Sequence, residues 1–216
     1  MIQAKLWVIL AFAATAVAGL SFLGSSSAED APHLATSKEN LAIATFAAGC
    51  FWCTESDFDK VEGVASTISG FMGGQTKNAT YDEVGRGGTG HTEVVQVTYD
   101  PNIVAYDRLV DHYWHNVDLV DGRGQFCDRG DQYRPVIFAH TDEQKKLAEA
   151  SKRALEQSGR FDKPIAVTIE RASDFAPAES HHQNYYEKNP LRYRYYRWGC
   201  GRDARLKELW GADAGH

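Results

Sequence analysis

The chain has 216 residues, with 23 basic against 29 acidic side chains and a formal charge of −6 at neutral pH. That balance is mildly acidic, and with no basic stripe or block of like charge it argues against a nucleic-acid partner. The length supports one compact domain with a substantial core.

Residues 1–28 read as an export signal. Lys5 supplies a short basic start, residues 6–23 are almost wholly apolar, and Ser26-Ser27-Ala28 offers small residues ahead of a cut before Glu29. The expected location is the periplasm. An uncleaved anchor facing that compartment is the alternative, since the apolar run just reaches spanning length. Cleavage removes one lysine and no acid, taking the charge from −6 to −7. Residues 29–40 are polar and unpatterned, as in a flexible tether, which leaves residues 41–216 as the working domain.

Residues 41–48 form a short apolar run that reads as a strand, and Gly49-Cys50 then opens a helix. Free N–H groups and the helix dipole at that point are expected to lower the Cys50 pKa. Residues 63–71 read as a second strand. Residues 72–90 carry six glycines and read as a functional loop with one helical turn at 81–84. Residues 92–99 are the clearest strand, stopped by Asp100-Pro101. Tyr106, Leu109, Val110, Tyr113, Trp114 and Val117 then share a helical face. A glycine-containing loop at 118–131 leads to a strand at 133–139. Thr141 caps a long helix ending at Ser158, and residues 165–169 form another strand. The tail beyond Glu179 is dense in aromatic and basic residues and ends in a short helix at 202–210.

Strands and helices alternate irregularly and without a fixed repeat. The expected class is α+β, a two-layer sandwich with a mixed sheet around a split β-α-β (ferredoxin-like) core. A doubly wound parallel sheet is disfavoured, because no phosphate-type glycine loop follows a strand.

Four cysteines occur, Cys50, Cys53, Cys127 and Cys200. Two structural disulfides would suit an oxidising compartment. Yet a domain of this size folds without staples, and a Cys-x-x-Cys loop is too short for much entropic stabilisation, so redox chemistry is the better reading. Cys50 is the candidate nucleophile, with Phe51 and Trp52 as an apolar pocket. Glu93 shares a strand face with Val95, Val97 and Tyr99, which makes it either a desolvated acid with a raised pKa or a rim carboxylate reaching water. Asp128 and Tyr133 bracket a polar loop that by itself reads as a solvated turn, and Tyr81 by itself is an ordinary loop tyrosine. His91, His181 and His182 raise the question of a metal, but one Cys-x-x-Cys without His-x-x-x-His spacing points to none.

Gly49-Cys50-Phe51-Trp52 with Glu55, Thr80-Tyr81, Gly90-His91-Thr92-Glu93, Val97-Thr98-Tyr99-Asp100-Pro101, Asp128 with Gln132-Tyr133-Arg134, His182-Gln183 and Lys188-Asn189-Pro190 occur in this order. Together they resemble A-type peptide methionine sulfoxide reductase, from about residue 44 to 211. The resemblance implies an enzyme that reduces free and peptide-bound methionine S-sulfoxide and so repairs oxidised proteins. It matches Cys50 to the nucleophile that becomes a sulfenic acid and Glu93 to the acid. Tyr81 and Tyr133 match hydroxyls that bind the sulfoxide oxygen, Asp128 a supporting carboxylate, and Phe51 and Trp52 the methyl pocket. It implies a disulfide recycled by a thioredoxin-like dithiol, with no cofactor, and a monomer is expected. Members differ in where the resolving cysteine lies. Cys200 between glycines is placed ahead of Cys53, with Cys127 third or acting as a relay. Two rivals are a thioredoxin-like oxidoreductase using Cys50-Phe51-Trp52-Cys53 and a non-enzymatic secreted domain with two structural bridges.

Overall fold

The computed structural model describes residues 40–215, so the export signal expected at 1–28 and nearly all of the tether lie outside the described residues. Among the described residues no helix is long and apolar enough to cross a membrane. The strands are β1 (Ala42–Ala47), β2 (Val64–Met72), β3 (Thr92–Tyr99), β4 (Gly124–Gln125), β5 (Asp128–Arg129), β6 (Val136–Ala139), β7 (Thr168–Arg171) and β8 (Ala176–Pro177). The helices are α1 (Phe51–Phe58), α2 (Tyr81–Gly85), α3 (Tyr106–His115), α4 (Asp142–Gln157), α5 (Tyr185–Lys188), α6 (Pro190–Gly199) and α7 (Arg202–Trp210).

Six strands form one sheet in the order β7-β6-β1-β3-β2-β8, and β4 and β5 pair separately. β3 runs antiparallel to both β1 and β2, so these two are parallel with β3 between them. With α1 linking β1 to β2, this is the expected split β-α-β unit. The central β6-β1-β3-β2 strands are antiparallel throughout, and the parallel β6–β7 pair makes the sheet mixed.

Alternation along β3 decides what each face buries. Val95, Val97 and Tyr99 join the core beneath the helices, where Phe46 stacks on Phe58 at 4.7 Å and Tyr113 at 5.3 Å. Burying each such ring contributes about 2–3 kcal/mol. Val94 and Met72 face the other way, into a smaller cluster with Ala47, Val136 and Phe138.

Two strands begin later than the sequence pattern indicates. Residues 131–133 form a 3-10 turn after Gly130, and Pro135 has no N–H for a ladder, so β6 starts at Val136. Ile165 and Val167 are buried, but the Ala166 N–H bonds to the Leu119 carbonyl, and β7 starts at Thr168. The aromatic tail holds two helices, α5 and α6, that hydrophobic periodicity did not reveal.

Candidate active site

β1 lies between β6 and β3 and so delivers its C-terminal end into the middle of the molecule. Gly49 makes the turn out of it with φ +82°, and a Cβ there would lie 2.5 Å from the Gln125 side chain. Only glycine tolerates both the left-handed backbone and that approach. Cys50 follows as the N-cap of α1 and is buried. Glu93, at the start of β3, points to the same place. It is 2 % exposed, and its Oε2 accepts the Phe51 N–H at 2.9 Å. Burial raises its pKa to about 8, the Phe51 N–H opposing, with Asp128 and Cys53 adding to the rise. Of the two readings left open by the sequence, the desolvated acid holds, and Glu93 is largely protonated at neutral pH.

The thiols depart from expectation. Cys50 was expected to have a lowered pKa, yet burial pushes it well up, with neighbouring Cys53 and Glu93 adding to the rise. The helix start does not offset burial, because the first N–H of α1 is spent on Glu93 rather than on sulfur. Cys53, one turn into α1, moves down despite its burial, through the neighbouring Cys50 thiol and then through Arg202 and Arg197.

Tyr81, opening α2, and Tyr133, in the 3-10 turn, come from loops about fifty residues apart. Burial, then the charge of Glu93, pushes both phenols upward, so they remain hydrogen-bond donors. Asp128 is raised by burial and accepts the Tyr196 hydroxyl at 2.6 Å. Tyr196 also lies near Cys50 and opposes the rise of its pKa. Phe51 is fully buried, with ring centroids 5.8 Å from Phe71 and 6.0 Å from Tyr81. Trp52 stacks on Tyr185 at 3.8 Å and donates its indole N–H to His182 Nδ1 at 3.1 Å. His182 in turn stacks on Tyr81 at 4.2 Å.

All ten predicted site residues therefore belong to one region, but the cysteines are partitioned. Cys50 and Cys53 are buried free thiols, whereas Cys127 and Cys200 are joined in a disulfide. Asp128 lies within 4.8 Å of both bonded sulfurs, a cluster that resembles a metal site only until the bond between them is considered. His91 does not join the other histidines, since it is bonded to Gly74 N–H and the Thr76 carbonyl. Sequence reasoning missed Tyr196 and Tyr185 and gave His182 no role at Trp52. Pro190 as a first-turn residue and the glycines after Trp198 were the signals for α6, and hence for Tyr196.

A buried thiol, a buried neutral acid, two phenol donors and an aromatic wall suit reduction of a small polar oxide on an apolar group. Residues 42–214 match the family described as peptide methionine sulfoxide reductase. The chain belongs to that family. Peptide methionine sulfoxide reductase MsrA of Listeria welshimeri is 51 % identical over 173 residues, covering 80 % of this chain and 98 % of that protein. The MsrA/MsrB protein of Vibrio cholerae is 49 % identical over 174 residues, covering 81 % of this chain and 46 % of that protein. Among solved structures, methionine sulfoxide reductase A of Corynebacterium diphtheriae aligns with TM-score 0.63 and 33 % identity, covering 71 % of this chain and 77 % of that one. Mxr1 of Saccharomyces cerevisiae in reduced form aligns with TM-score 0.65 and 31 % identity, covering 71 % and 88 %. As a member of the peptide methionine sulfoxide reductase family, this chain is an oxidoreductase that reduces methionine sulfoxide, and the rival readings from sequence fall away.

Proposed function

We propose that Cys50 is the nucleophile on methionine S-sulfoxide and that Glu93 is the acid that makes the sulfoxide reactive. The observation that carries this is the Glu93 carboxyl, buried beside the start of α1 with its pKa raised to about 8. A sulfoxide oxygen leaves sulfur only once it is protonated, and a carboxylic acid near this pKa can supply that proton at neutral pH. Tyr81 and Tyr133 hydrogen-bond the oxygen as it gains negative charge. Tyr196 and Asp128 order the polar end, and Phe51 and Trp52 receive the terminal methyl group. A pocket with oxygen donors on one wall and rings on the other accepts one sulfoxide epimer. Attack forms a bond from Cys50 to the sulfoxide sulfur. Collapse transfers the oxygen to Cys50 as a sulfenic acid and releases methionine.

For recycling we put Cys53 ahead of Cys200, reversing the order preferred from sequence. Supporting this are the nearness of Cys50 and Cys53, two buried free thiols one turn apart at the start of α1, and the engagement of Cys200 with Cys127. Cys53 attacks the sulfenic sulfur, the S–O bond breaks, and water leaves as the first disulfide forms. The buried pair is then reduced by exchange with Cys200 and Cys127, ending in the Cys127–Cys200 disulfide. Cys127 is exposed, so an outside dithiol can open that bond. We take the reductant to be thioredoxin-like and, if residues 1–28 direct export, to act outside the cytoplasm.

Mass spectrometry of the enzyme after one turnover without reductant tests the scheme. With one equivalent of substrate the expected products are one methionine and a Cys127–Cys200 bond in the parent, no methionine from Cys50→Ser, and a Cys50–Cys53 bond when Cys127 and Cys200 are changed to serine. A Cys50→Ser variant with full activity would end the proposal.

A further inference from the structure

Cys53 and Asp57 lie one turn apart on α1, and Tyr193 and Arg197 lie one turn apart on α6. The two pairs meet face to face. Cys53 packs against Tyr193, and Arg197 Nη1 bonds Asp57 at 2.7 Å and the Tyr193 hydroxyl at 3.0 Å. Arg202 enters the same layer from the first turn of α7 and is 1 % exposed. It donates to the Ala48 carbonyl at 2.9 Å, the Asn116 carbonyl at 2.6 Å and Asp57 Oδ2 at 3.3 Å. Its Nε has no partner.

Two guanidinium groups thus share one buried carboxylate. The other acid on Arg197 is Asp203, whose side chain is 64 % exposed and screened by water. The buried side of the cluster therefore keeps surplus positive charge beside Cys53, and a buried cation is costly unless some negative charge answers it. Tying Ala48 to Asn116 is a sufficient structural duty for Arg202. It does not account for a second arginine on the same carboxylate.

We propose that Arg197 and Arg202, bridged by Asp57, are positioning residues for the resolution step, holding negative charge on Cys53 while it attacks the Cys50 sulfenic acid. In that step the Cys53–Cys50 S–S bond forms and the S–O bond of Cys50 breaks. Cys53 is oxidised, the sulfenic sulfur is reduced, and the departing hydroxide is protonated to water. This inference rests on the reading of Cys53 as the resolving thiol.

Single-turnover kinetics separates the two steps. The methionine burst reports the first, and the lifetime of a dimedone-trappable sulfenic acid reports the second. Arg197→Gln should leave the burst within about twofold and lengthen the sulfenic acid lifetime about tenfold or more, the effect of removing one neighbouring charge from a thiol. Arg197→Lys should restore most of the resolution rate. Arg202→Lys keeps the charge in the buried slot, so it should resolve faster than Arg202→Met among variants that remain folded. An unchanged sulfenic acid lifetime in Arg197→Gln overturns the inference, as does a burst slowed in the same proportion as resolution, which marks a packing role. The reading of Cys53 fails separately if Cys53→Ser consumes its sulfenic acid as fast as the parent.

Discussion

Replacing Glu93 with glutamine separates the proton from the shape. Glutamine keeps a carbonyl oxygen for the Phe51 N–H, which Glu93 now receives at 2.9 Å, but it has no acid to give. Loss of a general acid lowers the sulfoxide reduction rate by about 10²–10⁴-fold. Stability carries an independent signature. A carboxyl with an ordinary pKa of 4.5 that is raised to about 8 in the folded state binds its proton more tightly when folded. The folded protein is thus penalised progressively as pH rises from 4.5 toward 8. The penalty is about 1 kcal/mol at pH 5 and about 3 kcal/mol at pH 7. Glutamine escapes it, so the variant gains about 2–3 kcal/mol on the parent between those two pH values. Taking the difference across pH cancels any constant packing cost. The assay is urea denaturation of both proteins at pH 5 and pH 7, beside single-turnover reduction of methionine sulfoxide. Parallel stability curves, or a rate within a few-fold of the parent, would refute a buried neutral acid at this position.

The acid form of Glu93 is lost as pH passes about 8, so single-turnover rate should fall tenfold per pH unit above that point, and a flat profile to pH 10 would count against its role. Tyr81→Phe and Tyr133→Phe each remove one donor to the developing oxyanion and should lower kcat by about 10²–10³-fold with little change in KM, measured by steady-state kinetics with dithiothreitol. Changing Cys127 or Cys200 to serine should preserve release of the first methionine and stall turnover supported by a thioredoxin. Undiminished turnover would show that the buried pair is reduced directly.

Much of the site was legible because it rests on local pattern. Strand alternation put Glu93 on the same face as Val95 and Val97, and that face proved to be the one beneath the helices. Thr141 and the residues after it marked α4, with Gln144 N–H bonded to the Thr141 hydroxyl as a capping residue requires. The ordered motif pieces brought Tyr81 and Tyr133 to the thiol before any coordinates did. Tyr196 and Tyr185 were not legible, because α5 is a single turn and α6 sets its rings among arginines on exposed and buried sides alike, so neither shows a clean apolar stripe. Their meaning comes from Asp128 and Trp52, which lie 68 and 133 residues away in the chain.

The sequence by itself determined the chemistry available, namely a thiol at a strand-to-helix turn, a carboxyl on an apolar strand face and the α+β frame that brings them together. Only the tertiary structure decided how that chemistry is distributed. It joined Cys127 to Cys200 across 73 residues, left Cys50 and Cys53 as buried free thiols, and tied Arg197 and Arg202 to Asp57 one turn beyond Cys53. It also reversed the expected shift at Cys50. Helix position predicts a lowered thiol pKa only when the first-turn N–H groups are free and water is near. Here β3 brings Glu93 onto the Phe51 N–H and the surrounding core excludes solvent, so burial outweighs the helix start.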